Sequence, residues 1–279
     1  MELVKNQHYI PQGYLKKFKI QGEKNKNKHS IYSLDCKNLK IERRNIEKIC
    51  AKKYFYEVDK KNPTNDVENY IGKNLEEPFF DLLYEGDSFK EVDISYLKNI
   101  SILPLYLAFQ VSRTNHFREM ISSTNKKIFE ATYKILKKTG QIKTDIPEEL
   151  IAVKIDKQLS HLDALSRFPY KEVTHDFIQK KWVILKAKKN SSLTFCACSS
   201  GISLDTYRQI HFFPLTSKYC LALYPQGHII KENSIIPVND DMINFVNSNG
   251  IGSSDSLFAS NEKSLEKLKN YIEKNMKIE

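Results

Sequence analysis

A change of hydrophobic pattern near residue 170 is the feature that most constrains how this chain can fold. Before that point apolar residues recur at helical spacing, as at Val67, Ile71 and Leu75. After it, short apolar runs typical of buried strands alternate with helical stretches. The sequence therefore predicts an α+β fold in one domain. A mainly helical N-terminal lobe with a small sheet, residues 1–170, would be followed by a mixed α/β C-terminal lobe, residues 171–279.

The same patterns predict the individual elements. Strands are expected at residues 30–35, 54–58, 182–186, 194–198, 210–213, 219–224 and 256–259. Helices are expected at residues 11–18, 66–83, 147–165, 240–248 and 262–274. Two more helices should cover residues 94–138 and meet near Pro104, with Gly140 ending the second.

The charge balance favours a polyanionic partner. The chain carries 44 Lys and Arg against 34 Asp and Glu, a net charge of +10, and nucleic acid is attracted by an excess of this sign. Candidate nucleic-acid-binding residues are Lys126 and Lys127 on a predicted helix, and Lys180 and Lys181 before a predicted strand. Enrichment in Lys alone would give the same excess, and both stretches are equally typical of solvated surfaces.

Composition also limits the class of protein. Apolar residues make up 41% of the chain, which supplies a core and excludes global disorder. No stretch is long and apolar enough to span a bilayer, and no apolar signal core follows Met1, so we expect no membrane partner. The five cysteines are an odd number at irregular spacing, which favours a reducing, cytoplasmic compartment.

Standard enzyme motifs are absent from the sequence. It contains no P-loop, dinucleotide glycine fingerprint, HExxH or serine nucleophile elbow. As a minor alternative, Asp35 and Asp59-Lys60-Lys61 fit the acidic residues and lysine of a metal-dependent nuclease core. The cofactor therefore stays open, with Mg²⁺ as a candidate. The Cys196 and Cys198 pair is more typical of buried thiols than of a metal site.

Gln7 and His8 form the first group of candidate functional residues. They lie just before the helix that Pro11 begins. A helix N-terminus would lower the tendency of His8 to protonate, so that His8 could act as a base or a hydrogen-bond donor. A capping and packing cluster explains the same residues equally well.

Two further groups lie on predicted helices. Gln110 and Arg113 are one turn apart at the end of an apolar stretch, in the middle of a long predicted helix. A buried arginine there needs a carboxylate or phosphate partner. Glu68 and Glu76 are about two turns apart and share a face, where they could pair with Arg113 or bind a cation. A structural ion pair and solvated glutamates are the ordinary alternatives.

Several segments occur in an order that resembles a known family. They are NQHYIPQGYLKKF at residues 6–18, the helix with Glu68 and Glu76, QVSRT at 110–114, FFPLTSKYCLAL at 212–223 and LFASNEKSLEKL at 257–268. Together they resemble the Domain of Unknown Function 4238 family over nearly the whole chain. The sequence departs from the family where Ala197-Cys198-Ser199-Ser200-Gly201 has Ser in place of a frequent Asp. Lys16 or Lys17 also stands where relatives often have Arg.

The resemblance implies a bacterial protein of a family with no assigned reaction, in which some members are associated with defence against phage. From it we expect an effector that acts on nucleic acid, RNA more than DNA, and responds to a phage-derived trigger. His8 would be acid or base and Arg113 would bind a phosphate. Glu68 and Glu76 would orient these groups or hold a metal.

In the same hypothesis Gln7 and Gln110 would contact the nucleic acid. Two alternatives stay open beside it. A nucleotide- or NAD-consuming enzyme is one, since paired glutamates suit oxocarbenium-like chemistry. The other is a non-enzymatic module that binds nucleic acid or protein, in which these residues form a buried hydrogen-bonded network.

Overall fold

The computed structural model describes residues 4–22, 29–86, 88–90, 92–142 and 155–276, with side chains to residue 274. The fold is α+β, as the hydrophobic pattern predicts. The described helices are α1 Gln12–Leu15, α2 Asp66–Ile71, α3 Glu77–Leu83, α4 Ile94–Asn99, α5 Ile102–Ser112, α6 Asn115–Lys138, α7 Lys157–Arg167, α8 Tyr170–Gln179, α9 Asp240–Ser248 and α10 Glu262–Met276.

The strands are short and lie in both halves of the chain. They are β1 Asn6–His8, β2 Ser30–Asp35, β3 Lys40–Asn45, β4 Ala51–Lys53, β5 Tyr84–Glu85, β6 Ser88–Phe89, β7 Lys181–Ala187, β8 Ala197–Cys198, β9 Ser203–Asp205, β10 Ile210–Pro214, β11 Tyr219–Tyr224, β12 Ser234–Val238 and β13 Ser256–Ala259. A five-stranded sheet has the order β12-β7-β11-β10-β9 and is antiparallel except between β12 and β7. The ribbons β1-β4 and β5-β6 are separate antiparallel pairs.

A second sheet, in the order β3-β2-β13-β8, joins the two lobes. All of its pairs are antiparallel, and Ser256–Ala259 pairs with the strand at Ser30–Asp35 on one side and with Ala197–Cys198 on the other. The small sheet expected in the N-terminal lobe is therefore completed by strands from the C-terminal lobe.

The main hydrophobic core also draws on both lobes. The rings of Phe79 in α3 and Tyr106 in α5 stack with centroids 3.7 Å apart. The Tyr14 ring stacks on Phe213 of β10 at 5.2 Å, and the core includes Trp182 of β7. Each buried side chain of this size contributes roughly 1.5–3 kcal/mol. This packing holds α3 and α5 together, so that residues at their adjoining ends become neighbours.

Some predicted boundaries were wrong. Residues 54–58 are not a strand, because Tyr54 has a φ of 54° that interrupts the extended chain after β4. Residues 94–138 form three helices, since Ile100 and Thr114 have extended backbones that separate them. Pro104 lies in the first turn of α5, where proline is tolerated. The predicted 194–198 strand is confined to β8.

Other elements were not predicted or are only partly described. The helix α8 and the strand β12 were missed. Residues 147–154 of the helix predicted at 147–165 lie outside the described residues, and α7 begins after Asp156, whose carboxylate accepts the amide hydrogens of Gln158 and Leu159. Within the described parts of the chain, no helix combines the length and the apolar character that crossing a bilayer requires.

Candidate active site

The free edge of β1 is closed by side chains instead of another strand. His8 pairs with Ala51 of β4 on one side. On the other side its carbonyl oxygen accepts hydrogen bonds from Arg113 Nη2 at 2.7 Å and from the Tyr56 hydroxyl at 3.4 Å. The His8 backbone N–H donates to the Glu68 carboxylate. Buried backbone groups need partners, and here Arg113 and Glu68 supply what a third strand would have supplied.

Arg113 holds this arrangement together. It is the last residue before the break between α5 and α6 and is fully buried. Nη1 donates to Glu76 Oε1 at 2.6 Å and Nε donates to the Tyr56 hydroxyl at 3.2 Å. Burial alone would lower the pKa of Arg113, but Tyr56 and Glu76 raise it above its ordinary value. Each guanidinium nitrogen has a partner within the chain, so Arg113 acts as a positioning residue.

Glu68 differs from Glu76 because, among the described residues, it has no cationic hydrogen-bond donor, whereas Glu76 has Arg113. Burial raises the pKa of Glu68 to about 7; Arg113 opposes this rise, and the Glu76 carboxylate adds to it. Its Oε2 atom is buried and has no hydrogen-bond partner among the described residues. Glu68 is therefore partly protonated at neutral pH and can release a proton to a group that reaches it.

The pKa of the His8 ring is shifted in the opposite direction, so that its uncharged form is favoured. Burial lowers the pKa of His8; the charge of Glu76 opposes the shift, and that of Arg113 adds to it. The Nε2 atom is buried without a partner in the described chain. A neutral imidazole has one nitrogen that accepts a proton. Glu68 and the His8 ring are linked through the His8 backbone, whose N–H donates to the Glu68 carboxylate.

Local structure around the glutamates explains their placement. A π-helical turn at Gly72–Glu76 separates α2 from α3 and ends with Glu76 itself. Such turns are rare and occur often at functional sites. Before α2, the Glu57 carboxylate accepts the backbone N–H groups of Thr64 and Asn65 at 2.9 and 3.1 Å. These bonds fix the start of α2 and therefore the position of Glu68.

The two candidate glutamines also serve the chain's own structure. Gln7 Nε2 donates to Glu57 Oε1 at 2.6 Å, and Gln7 Oε1 accepts the Tyr56 N–H at 2.7 Å. Gln110 Nε2 donates to the Tyr9 carbonyl at 3.1 Å. Gly201 lies so close to Gln110 that a Cβ there would be 2.6 Å from its Cγ. Because both glutamines are buried, contact with nucleic acid would require this region to open.

The candidate lysines lie elsewhere. Lys126 and Lys127 are exposed on α6, where Lys126 lies 3.8 Å from Glu130. Lys180 forms an ion pair with Asp176 at 3.4 Å, and Lys181 Nζ donates to the His228 carbonyl at 2.7 Å. Binding of nucleic acid by these lysines stays a prediction.

The alternative metal-dependent site has its carboxylates in turns. Asp35 accepts the Lys37 N–H and Asp59 accepts the Lys61 N–H, both at 2.8 Å. In the described residues, no cluster of three or more His, Cys, Asp or Glu side chains is arranged to hold a metal ion. Burial raises the pKa of Cys196 and of Cys198, so their thiols are protonated at neutral pH.

His8, Glu68, Glu76 and Arg113 are brought together from four places in the sequence. Tyr56 and Glu57 complete their network, and both were missed because residues 54–58 were interpreted as a strand. A buried Glu next to a buried Gln can be recognised only when the fold is known. Pairing of β1 with β4 is what brings these residues against the motif at residues 6–8.

Fold and site define an α+β protein in which His8 Nε2 and Glu68 Oε2, near the edge of a short strand, are buried without hydrogen-bond partners among the described residues. The chain belongs to the family described as Protein of unknown function (DUF4238), whose model matches residues 6–264. Comparison with curated proteins and with solved structures found no match. The function is therefore argued from the chemistry of the site.

Proposed function

We propose that this protein is an acid–base enzyme that cleaves nucleic acid, RNA in preference to DNA, as a bacterial effector of defence against phage. The observation that carries the proposal is the pair of unpartnered buried atoms, His8 Nε2 and Glu68 Oε2. Their pKa values shift so that the imidazole is neutral while the carboxyl is partly protonated near pH 7. Neighbouring groups poised in opposite senses are typical of acid–base catalysis.

RNA supplies its own nucleophile for such a pair. His8 Nε2 would accept the proton of a ribose 2′-hydroxyl while that oxygen forms a bond to the adjacent phosphorus. Glu68 would donate its proton to the departing 5′-oxygen. The products are a 2′,3′-cyclic phosphate and a 5′-hydroxyl, with His8 left protonated and Glu68 left ionised. Hydrolysis of the cyclic product, with the roles reversed, restores both groups. DNA lacks the 2′-hydroxyl, which explains the preference for RNA.

The burial of the pair suits an effector that stays inactive until infection. Only 8% of the His8 surface is exposed, so RNA can reach Nε2 only if the region around β1 opens. A phage-derived trigger that binds the protein would supply this opening. The net charge of +10 would then favour association with RNA.

One observation favours a second candidate. Arg113 is paired with Glu76, whereas Glu68 has a raised pKa. Enzymes that cleave glycosidic bonds use two carboxyl groups, one protonated as the acid and one ionised. Hydrolysis of the N-glycosidic bond of a nucleotide or of NAD would use Glu68 as the acid and Glu76 as the carboxylate.

Induction of the protein in cells, with and without phage infection, tests both candidates. RNA, DNA and nucleotide pools would be measured for the wild type, His8→Ala and Glu68→Gln. His8→Ala keeps the backbone groups that bind Arg113 and Glu68. Glu77→Gln is the matched control, because Glu77 is an exposed carboxylate next to Glu76.

We expect RNA fragments with the wild type and Glu77→Gln, and none with the two site variants. Intact RNA together with loss of NAD or another nucleotide pool would indicate the second candidate function, hydrolysis of an N-glycosidic bond. Both enzymatic proposals would be contradicted if all four proteins fold and protect infected cells while RNA, DNA and nucleotide pools stay unchanged.

A further inference from the structure

Two cationic side chains, Lys52 and Arg118, lie at the start of α6, and neither forms an ion pair with a carboxylate of the described chain. The N-terminal end of a helix carries a partial positive charge. Lys52 of β4 reaches this end, where its Nζ donates to the Asn115 side-chain oxygen at 2.6 Å. Arg118 lies in the same turn, and helical side chains lean toward the N-terminus. Two cations thus lie where a helix attracts anions.

Arg118 lacks the counterion that a buried arginine requires. It is 7% exposed, donates from Nη2 to the Phe55 carbonyl at 2.6 Å and stacks on the Phe55 ring at 3.9 Å. Its Nε atom is buried without a hydrogen-bond partner, and no acidic group of the described chain forms an ion pair with it. An unpaired buried charge is costly, so this guanidinium is available for an anion.

The acidic groups near Lys52 and Arg118 already have partners. Glu119 forms an ion pair with Lys157. The Asp156 carboxylate accepts two backbone N–H groups at the start of α7. Burial lowers the pKa of Lys52, and the charges of Arg118 and Lys157 add to that shift while Glu119 and Asp255 oppose it. Of the three cations here, Lys52, Arg118 and Lys157, only Lys157 forms an ion pair with a carboxylate of the described chain.

A cavity reaches the second residue of α6, although neither Lys52 nor Arg118 lines it. A cavity of about 440 Å³ is lined by His116, the second residue of α6, and by Ser254 and Asp255. Asp255 faces Lys37 at 3.7 Å, so its charge is partly balanced. The first backbone N–H groups of a helix have no intrahelical partner. Thr114 accepts that of Phe117, which leaves the amides of Asn115 and His116 for a ligand.

We propose that the first turn of α6, with Lys52 and Arg118, binds a phosphate group. Three kinds of donor would meet there: backbone N–H groups, an ammonium and a guanidinium, the combination that phosphate oxygens accept. If the RNA-cleaving function proposed above holds, the ligand is a backbone phosphate of the substrate. Lys52 pairs with Gln7 and Ala51 pairs with His8, so the Lys52 side chain lies on the face of the β1-β4 ribbon opposite to the His8 ring, and the phosphate it binds would be a neighbouring one and not the one that is cleaved.

Binding of RNA without cleavage is the direct test. The full chain with Glu68→Gln would be titrated against a fluorescent single-stranded RNA at several salt concentrations, alone and with Lys52→Gln or Lys53→Gln added. Lys53 is the matched control, since neighbouring strand residues point to opposite faces. We expect Lys52→Gln to weaken binding about tenfold and to reduce the salt slope by about one, and Lys53→Gln to change binding less than twofold.

Inorganic phosphate identifies the source of the anion. We expect millimolar phosphate to raise the thermal midpoint of the Glu68→Gln protein and to compete with RNA, and both effects to vanish with Lys52→Gln or with Arg118→Gln. Stabilisation by phosphate without any loss of RNA affinity in Lys52→Gln would support a site for a free phosphate compound, and would overturn the assignment to the RNA backbone.

Equal RNA affinity of Lys52→Gln and Lys53→Gln, together with no effect of phosphate, would overturn the site itself. This outcome is distinct from failure of the proposed function. If only the proposed function failed, Lys52→Gln would still weaken RNA binding, but the wild type would leave RNA uncut.

Discussion

Arg113 and Arg118 lie five residues apart at the junction of α5 and α6, and both are buried, yet their surroundings differ. Arg113 has Glu76, the Tyr56 hydroxyl and the His8 carbonyl as hydrogen-bond partners. Arg118 has the Phe55 carbonyl and the face of the Phe55 ring, and no carboxylate of the described residues forms an ion pair with it. The first arginine completes the protein's own structure, whereas the second retains capacity for an outside anion. Burial of an arginine therefore does not indicate its role; its partners do.

The contrast extends to the acid–base pair. Arg113 ion-pairs Glu76 and holds the backbone of His8, so it fixes the geometry around the site without a free nitrogen for substrate. Glu68 and the His8 ring keep one unpartnered atom each. Polar groups with hydrogen-bond partners thus surround two atoms without a partner in the described chain, and only these two atoms are available for chemistry or binding.

Replacement of the two arginines should separate these roles most clearly. We expect Arg113→Met to lower the free energy of unfolding by about 3–5 kcal/mol, because it leaves Glu76 and the His8 carbonyl without their donor. Arg118→Met should cost only about 1 kcal/mol, since it removes one hydrogen bond and a ring contact. Urea denaturation would measure both values. As a control, Arg167→Met on an exposed pair should cost less than about 1 kcal/mol.

A similar loss in the free energy of unfolding for Arg113→Met and Arg118→Met would contradict the different roles of the two arginines. It would mean that Arg118 is as much a part of the folded structure as Arg113, and that no capacity is held for an anion at the start of α6.

Glu68 should make stability depend on pH in a recognisable direction. Its folded pKa of about 7 lies above the ordinary value of 4.5, so the folded state holds a proton that the unfolded state has released. Stability from this group is present below about pH 4.5 and is lost as pH rises to about 7. We expect the free energy of unfolding of Glu68→Gln, taken relative to that of the wild type, to be about 1–3 kcal/mol higher at pH 8 than at pH 5.

The matched variant for this measurement is Glu77→Gln, whose carboxylate is exposed. Its stability relative to the wild type should be the same at both pH values. A flat pH dependence for Glu68→Gln as well would show that Glu68 is ionised in the folded protein and is not the acid.

The exposed lysines of α6 should have the smallest effect. Lys126 and Lys127 are exposed on α6, whereas Lys52 lies close enough to Arg118 for their charges to repel each other. We expect Lys126→Gln with Lys127→Gln to change RNA affinity less than threefold, mainly through net charge. The anisotropy titration used for Lys52 would measure this. A loss as large as that of Lys52→Gln would place the RNA path along α6.

Hydrophobic spacing was sufficient to predict the fold class and several elements. The strand at Tyr219–Tyr224 and the helix at Asp240–Ser248 have the predicted bounds, because each is a clear periodic run between polar segments. The break after Arg113 was missed. Its residues, QVSRT, have no Gly or Pro, and Thr114 ends one helix pattern by capping the next.

The composition of the site was easier to predict than its geometry. His8, Glu68, Glu76 and Arg113 were selected as polar residues at unusual positions, and they meet in the structure. Their partners could not be predicted, because they depend on the pairing of β1 with β4 and on a π-helical turn that sequence spacing does not show. The Arg118 environment was missed for the same reason: an absent counterion is visible only when all neighbours are placed.

Cleavage at one chosen linkage is the direct test of whether His8 and Glu68 cleave RNA by acid–base catalysis. A DNA oligonucleotide with a single ribonucleotide would be incubated with the purified protein and an extract of phage-infected cells, at a series of pH values. We expect one cut after the ribonucleotide that leaves a 2′,3′-cyclic phosphate. The rate should rise as His8 loses its proton and fall as pH passes about 7, where Glu68 loses its own. Glu68→Gln should reduce cleavage by about 10²–10⁴, and Glu77→Gln should leave it unchanged. Equal cleavage by Glu68→Gln and the wild type, or no cut above the extract alone, would contradict the account.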